Sequence, residues 1–159
     1  SGQRVRLHPG CRMSSVLSSI YEAKSALYDL LTQELPKHQD TADVPVFWGA
    51  GNANEQVIIW SATADTDFAT IGGPVPRLDE EFRVEILVEA TVASGRDLRP
   101  AEERMWTMAQ VVGDLVRENG LVGPRCLFSR PSRTVQEYFQ TDKRQGSRAR
   151  ITLAGKARI

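Results

Sequence analysis

Sulfur and imidazole are scarce in this chain. Cys11 and Cys126 are its two cysteines, and His8 and His38 its two histidines, in 159 residues. Cysteines so far apart make neither a disulfide framework nor a zinc-ligand spacing, and they read as free thiols of a reducing compartment. Neither histidine has a second histidine, a cysteine or a carboxylate at ligand spacing, so no metal and no cofactor is expected. No apolar run approaches the ~20 residues that a membrane span requires. The first fifteen residues lack the apolar stretch of a secretory signal. Net charge is also lacking: 20 basic and 20 acidic side chains cancel, whereas a dedicated nucleic-acid binder is usually basic.

What remains is ordinary globular material, 41% hydrophobic and 25% charged. That is too apolar and too balanced for an intrinsically disordered chain. The length suits one domain that buries roughly 70% of its unfolded-state surface and needs no disulfide or metal.

The charge balance hides an asymmetry. Residues 121–159 carry nine basic side chains against Glu137 and Asp142, a net of +7, and residues 1–120 carry the compensating −7. Two readings follow. The basic strands pair with acidic ones inside one fold, or the two regions complement a neighbour.

Local pattern gives the elements. Residues 1–13, with Gly2, Pro9, Gly10 and three arginines, read as a flexible amino-terminal arm, and residues 14–159 as a single α+β domain. In 15–35 the apolar positions Val16, Leu17, Ile20, Ala23, Leu27, Leu30, Leu31 and Leu35 fall on one helix face. Ser14 or Ser15 suits the cap and Pro36 the stop. Val44-Pro45-Val46-Phe47-Trp48 and Gln56-Val57-Ile58-Ile59-Trp60 stand at hairpin distance. Residues 61–80, rich in Thr, Asp, Gly and Pro, read as a long loop that holds Asp65, Asp67, Gly72 and Gly73. From 81 to 94 the pattern alternates: Phe82, Val84, Ile86, Val88 and Ala90 on one face, Arg83, Glu85, Leu87, Glu89 and Thr91 on the other.

Pro100 then opens a second helix, with Met105 and Met108 as core filler, and Asn119-Gly120 closes it. Two strands, 134–140 and 147–157, flank a basic tip. The order predicts a mixed, largely antiparallel sheet with two helices packed on one face, a single pair of layers.

No catalytic constellation emerges. The Gly49-Ala50-Gly51-Asn52 run lacks a third glycine and precedes a strand, so it reads as a tight turn, not a dinucleotide site. No phosphate-binding loop or nucleophile elbow is present. Asp65 and Asp67 lack further ligands, and Glu85 and Glu89 read as facing water or a neighbouring subunit. The chain is not expected to be an enzyme.

The sequence has a particular order of motifs. A helix runs from Val16-Leu17-Ser18-Ser19-Ile20-Tyr21 to Leu35-Pro36. Val44-Pro45-Val46-Phe47-Trp48-Gly49, Glu55-Gln56-Val57-Ile58-Ile59-Trp60 and the glycine-bearing Ile71-Gly72-Gly73 follow. Then come Glu81-Phe82-Arg83-Val84-Glu85-Ile86-Leu87-Val88, a helix from Ala101-Glu102-Glu103-Arg104, and a terminal Ala149-Arg150-Ile151-Thr152-Leu153-Ala154. Over residues 14–158 this resembles the tail terminator proteins of long-tailed, siphovirus-type bacteriophages, those of actinobacterial phages and prophages in particular.

The resemblance implies a virion structural protein. It would form a homo-hexameric ring at the head-proximal end of the tail, stop polymerisation of the tube, and join the major tail tube protein to the neck or head–tail connector proteins. Genomic DNA would pass through the lumen without sequence recognition, and no membrane would be involved. Head–tail joining and tail-completion proteins, of similar size, are the neighbouring reading. A small nucleic-acid-binding module using the basic carboxy-terminal segment is the alternative of another class. For a ring, Lys143, Arg144, Arg148 and Arg150 are the expected subunit or lumen contacts, with Asp65, Asp67, Gly72 and Gly73 in a loop between rings.

Overall fold

The computed structural model describes residues 18–70, 77–120, 123 and 126–158, with the side chains of 67–70 and of 77 and 78 left aside. The arm at 1–13, Cys11, His8, the capping candidates Ser14 and Ser15, and Gly72 and Gly73 lie outside the described residues.

Helix α1 (Ile20–Glu34) buries Ala23, Leu27 and Leu31 on the expected stripe and passes into a 3-10 turn at Leu35–Lys37 that contains Pro36. A second 3-10 turn spans Gln39–Thr41. Strand β1 (Val46–Trp48) is short, and β2 (Glu55–Thr70), β3 (Arg77–Ala93), β4 (Cys126–Gln140) and β5 (Arg144–Arg158) are long. Helix α2 (Arg99–Glu118) connects β3 to β4. Pro100 stands in its first turn, and the Asn119 amide donates to the Leu115 carbonyl at its end.

The five strands lie in the order β1-β2-β3-β5-β4. The expected α+β fold, with a mixed and mainly antiparallel sheet, is what the chain adopts: β1–β2 is parallel and the other three pairings antiparallel. Both helices pack on one sheet face, α1 over β1 and β2, α2 over β3 and β5. That face supplies Val57, Ile59, Phe82, Val84, Ile86, Val88, Ala149, Ile151 and Leu153, all buried together with Met105, Met108 and Val112 of α2. Each such large side chain contributes about 1.5–3 kcal/mol by leaving water, which is why the alternation in β3 specifies its register.

Three expectations are corrected. Residues 61–70 are strand, not loop: β2 runs to Thr70, and β3 starts at Arg77, so Asp65 and Asp67 lie on a strand of a long hairpin. The segment is polar because it lines a sheet edge and one of its faces meets no helix. The β1–β2 unit is not a hairpin either. The chain doubles back through 49–54, with Gly49 at φ 85°, and β2 runs parallel to β1. The basic tip is also shorter than expected, since Arg144, Gln145 and Gly146 already belong to β5.

The amino end of α1 is held by a distant residue. Glu80, buried on β3, accepts hydrogen bonds from the Ser19 N–H (2.8 Å), the Ser18 hydroxyl (3.0 Å) and the Ser19 hydroxyl (2.5 Å). A carboxylate there satisfies a donor of the first turn and meets the positive end of the helix dipole.

Candidate interaction surface

The sheet face away from the helices carries a lattice of charge. In register across β3, β5 and β4 stand Glu89, Arg148 and Glu137, then Leu87, Arg150 and Val135, then Glu85, Thr152 and Arg133. Arg148 pairs with Glu89 at 2.5 Å and with Glu137 at 3.6 Å. Arg150 pairs with Glu137 at 3.0 Å and with Glu85 at 3.3 Å. Gln56 of β2 donates to the other Glu89 oxygen at 2.7 Å, and the Ser61 hydroxyl donates to Glu85 at 2.8 Å. The Arg148 guanidinium also lies 4.5 Å from the centre of the Phe139 ring.

The hydrogen bond from Arg150 holds the Glu137 carboxyl below its ordinary range, with the charges of Arg150 and Arg148 acting in the same sense. Glu137 in turn raises Arg150, against the opposing effect of burial.

Much of the basic carboxy-terminal segment is therefore balanced inside the fold. Of the expected contact residues, Arg148 and Arg150 belong to this lattice. Arg144 donates to the Thr91 hydroxyl (2.8 Å) and carbonyl (3.3 Å). Lys143 is exposed in the turn between β4 and β5. Asp65 stands opposite Glu81, and Asp67 opposite Asp79, on the β2–β3 pair. Asp79 itself binds Arg158 at 3.2 Å and Lys156 at 3.6 Å. The fold does not gather these residues at one place: Lys143 and Arg144 lie at one end of the sheet, Asp65 and Asp67 at the other.

Beside Lys143, the cations left over among the described residues include three that the sequence reading had not singled out. No side-chain hydrogen bond or ion pair joins Arg83, Arg130 or Arg133 to another described residue, and all three are exposed. One row across the sheet reads Thr63, Arg83, Ala154, Arg130, so two arginines flank a small residue. At this level β2 bulges between Ile59 and Ala62, and β4 between Pro131 and Arg133. Bulges bend the strands that carry them. Between them lies a cavity of about 320 Å³ that Thr63, Arg83, Glu85, Arg133 and Thr152 help to line. The signal in the sequence was present but needed the register: Arg83 and Arg130 are 47 positions apart and meet only through Ala154.

Aromatic groups are exposed at both sides of the sheet. Near β1, Trp48 packs against Tyr21 and Tyr28 at ring distances of 5.7 and 5.9 Å, with the Lys24 ammonium 4.8 Å from its ring. Near β4, Tyr138 and Trp106 both donate to Glu102, at 2.5 and 3.3 Å. The Glu102 hydrogen bond raises the Tyr138 phenol.

Among the described residues no group of three or more His, Cys, Asp and Glu could hold a metal. His38 is exposed beside the 3-10 turns, and Cys126 is a free thiol. No described helix is long and apolar enough to cross a membrane.

No protein-family model matches this chain, and no curated protein matches it. A solved structure does. The chain is similar to one in the virion of a native gene transfer agent particle, with a TM-score of 0.62 and 11% identity, covering 91% of this chain and 100% of that one. At that identity the likeness establishes the fold.

Proposed function

We propose that this chain is a virion structural protein, the terminator of a phage-type tail. It forms a hexameric ring at the head-proximal end of the tail tube, stops tube polymerisation and joins the tail to the neck. The observation that carries this reading is the likeness to a chain of a gene transfer agent virion over the whole length of that chain. The sequence resemblance to tail terminators points the same way, independently. A surface made of charge lattices and exposed aromatics, on a sheet whose described helices cover one side, suits a subunit that works by contact. In a ring, head-to-tail contacts set two different patches of one subunit against each other.

A head–tail joining or tail-completion role shares this fold-level support and differs in which virion component is touched. A nucleic-acid-binding module is less well supported, because Arg148, Arg150 and Arg158 are already engaged by carboxylates.

The test is the mass of the purified protein in solution, with images of it mixed with tail tube protein. Sixfold rings capping tube ends are expected. A monomer at every concentration, with and without tube protein, overturns the reading. Rings that bind connector and not tube shift it to the joining role. A monomer with salt-sensitive duplex binding supports the nucleic-acid alternative.

A further inference from the structure

Among the described residues the sheet has two long unpaired edges. Strand β1 covers β2 only at Val57, Ile58 and Ile59, so from Ala62 onward β2 has β3 on one side and no described strand on the other. Strand β4 has β5 on one side and no described strand on the other along all its 15 residues. Exposed edges of this length are templates for pairing with another chain. The two edges also differ in sign. Near the β2 edge Asp65 stands opposite Glu81, two like charges face to face, and neither carboxylate makes a hydrogen bond or close ion pair to another described residue, although Lys156 stands across from Glu81 on β5. Like charges directly opposite destabilise a sheet, and Lys156, which stands across from Glu81 and also pairs with Asp79, offsets the Glu81 side alone, so Asp65 has no cation across from it. On the β4 edge stand Arg130 and Arg133, also without partners among the described residues.

The levels match as well. The row Asp65, Glu81, Lys156, Phe128 adjoins the row Thr63, Arg83, Ala154, Arg130. Asp65 and Arg130 are therefore one row apart in height, about 7 Å along the strands. An arginine side chain reaches that far.

The sheet faces agree too: Asp65, Glu81, Arg130 and Arg133 all belong to the face away from the helices. Alternation of strand direction from β2 through β3 and β5 to β4 makes β4 antiparallel to β2. A copy placed beside β4 by rotation about an axis along the strands would set its β2 antiparallel to β4, continue the sheet from Ala62 onward, where β1 no longer covers β2, along the Cys126–Pro131 part of β4, and keep the helices on the same side. A closed ring allows no axial step between subunits, and these edges need almost none.

We infer that the β2 edge of one copy docks against the β4 edge of the next, Asp65 and Glu81 of one meeting Arg130 and Arg133 of the other. The inference rests on the ring reading above and names its interface. Pro131 and the neighbouring bulge weaken the ladder-forming capacity of β4 where the arginines stand, so side-chain charge carries the contact at that level. This differs from the expected use of Arg148 and Arg150, whose carboxylates lie in their own chain.

The test is a charge swap between edges. One protein carries Asp65→Arg with Glu81→Arg, the other Arg130→Glu with Arg133→Glu. Each alone is expected to stay folded by circular dichroism and to lose rings, with subunit association weakened at least roughly tenfold. Mixed in equal amounts they are expected to form rings again, because each altered edge then meets its complement and an even ring can alternate them. The neutral pair Asp65→Asn and Arg133→Gln, read by light scattering against salt, serves if a reversal does not fold. Wild-type rings that persist in both reversals, or folded reversals that remain monomers when mixed, overturn the interface and leave the ring standing. A wild type that never assembles overturns both.

Discussion

Two groups of arginines on the same pair of strands behave in opposite ways. Arg148 and Arg150 face Glu85, Glu89 and Glu137, while Arg130 and Arg133 face Ala154 and Thr152 across the same β4–β5 ladder. Residue type and sheet face are alike, but Arg148 and Arg150 lie on the interior strand β5 and Arg130 and Arg133 on the edge strand β4, and their cross-strand neighbours differ. A count of charge along the chain treats all four as equivalent. Register divides them into cations that hold the sheet together and cations with no side-chain partner among the described residues.

The largest effect expected from that division is on stability. Arg148→Met leaves Glu89, whose side chain is 6% exposed, with Gln56 as its remaining donor, and should cost about 3 kcal/mol in urea unfolding. Arg130→Met should stay within about 0.5 kcal/mol. Equal costs would erase the distinction. The joint reversal Arg148→Glu with Arg150→Glu adds two carboxylates to three and should leave the chain unfolded.

A steric change beside Arg130 comes next. A Cβ on Gly155 would stand 2.4 Å from the Phe82 ring and 2.6 Å from the Phe128 carbonyl oxygen. Gly155→Ala should cost roughly 1–3 kcal/mol by overpacking. A wild-type melting curve would show that this end of the sheet is loosely packed and that the free arginines merely reflect it.

Acid should separate the two groups again. The folded-state pKa of Glu137 is lowered, chiefly by its hydrogen bond from Arg150, so its stabilising effect is present above the ordinary value of 4.5 and is lost as pH falls through the lower folded value. Glu137→Gln should flatten the stability profile in that acid range, whereas Arg130→Gln should leave it unchanged. A profile that Glu137→Gln does not alter would remove Glu137 from the lattice.

The smallest effect is at the far side of β4. Tyr138→Phe should remove a late-titrating phenol from the alkaline absorbance curve and leave stability nearly unaltered, because the pair with Glu102 is exposed.

The parts of the fold that were legible are those with one buried face. The alternation through Phe82, Val84, Ile86 and Val88 and the stripe through Met105, Met108 and Val112 each repeat at the period of their element. Residues 61–70 were not legible. Ala62 and Ala64 mark the inner face weakly, while Thr63 and Asp65 alternate with them as a loop would. The parallel course of β1 and β2 was hidden because a six-residue return leaves no apolar signature. The candidate surface was half legible. Charge asymmetry announced that acidic and basic segments exist, but which carboxylate meets which arginine depends on a register that no local pattern records.

Strand length has a further consequence. Strand β3 contains 17 residues and β5 contains 15, so the sheet is about 50 Å tall at roughly 3.3 Å per residue. In a ring with its strands upright, this plank is a ruler for the wall, and the collar's height is written in the number of residues per strand. Removing two residues from each long strand should lower the collar by about 7 Å without altering its circumference, which is set by how many planks stand side by side.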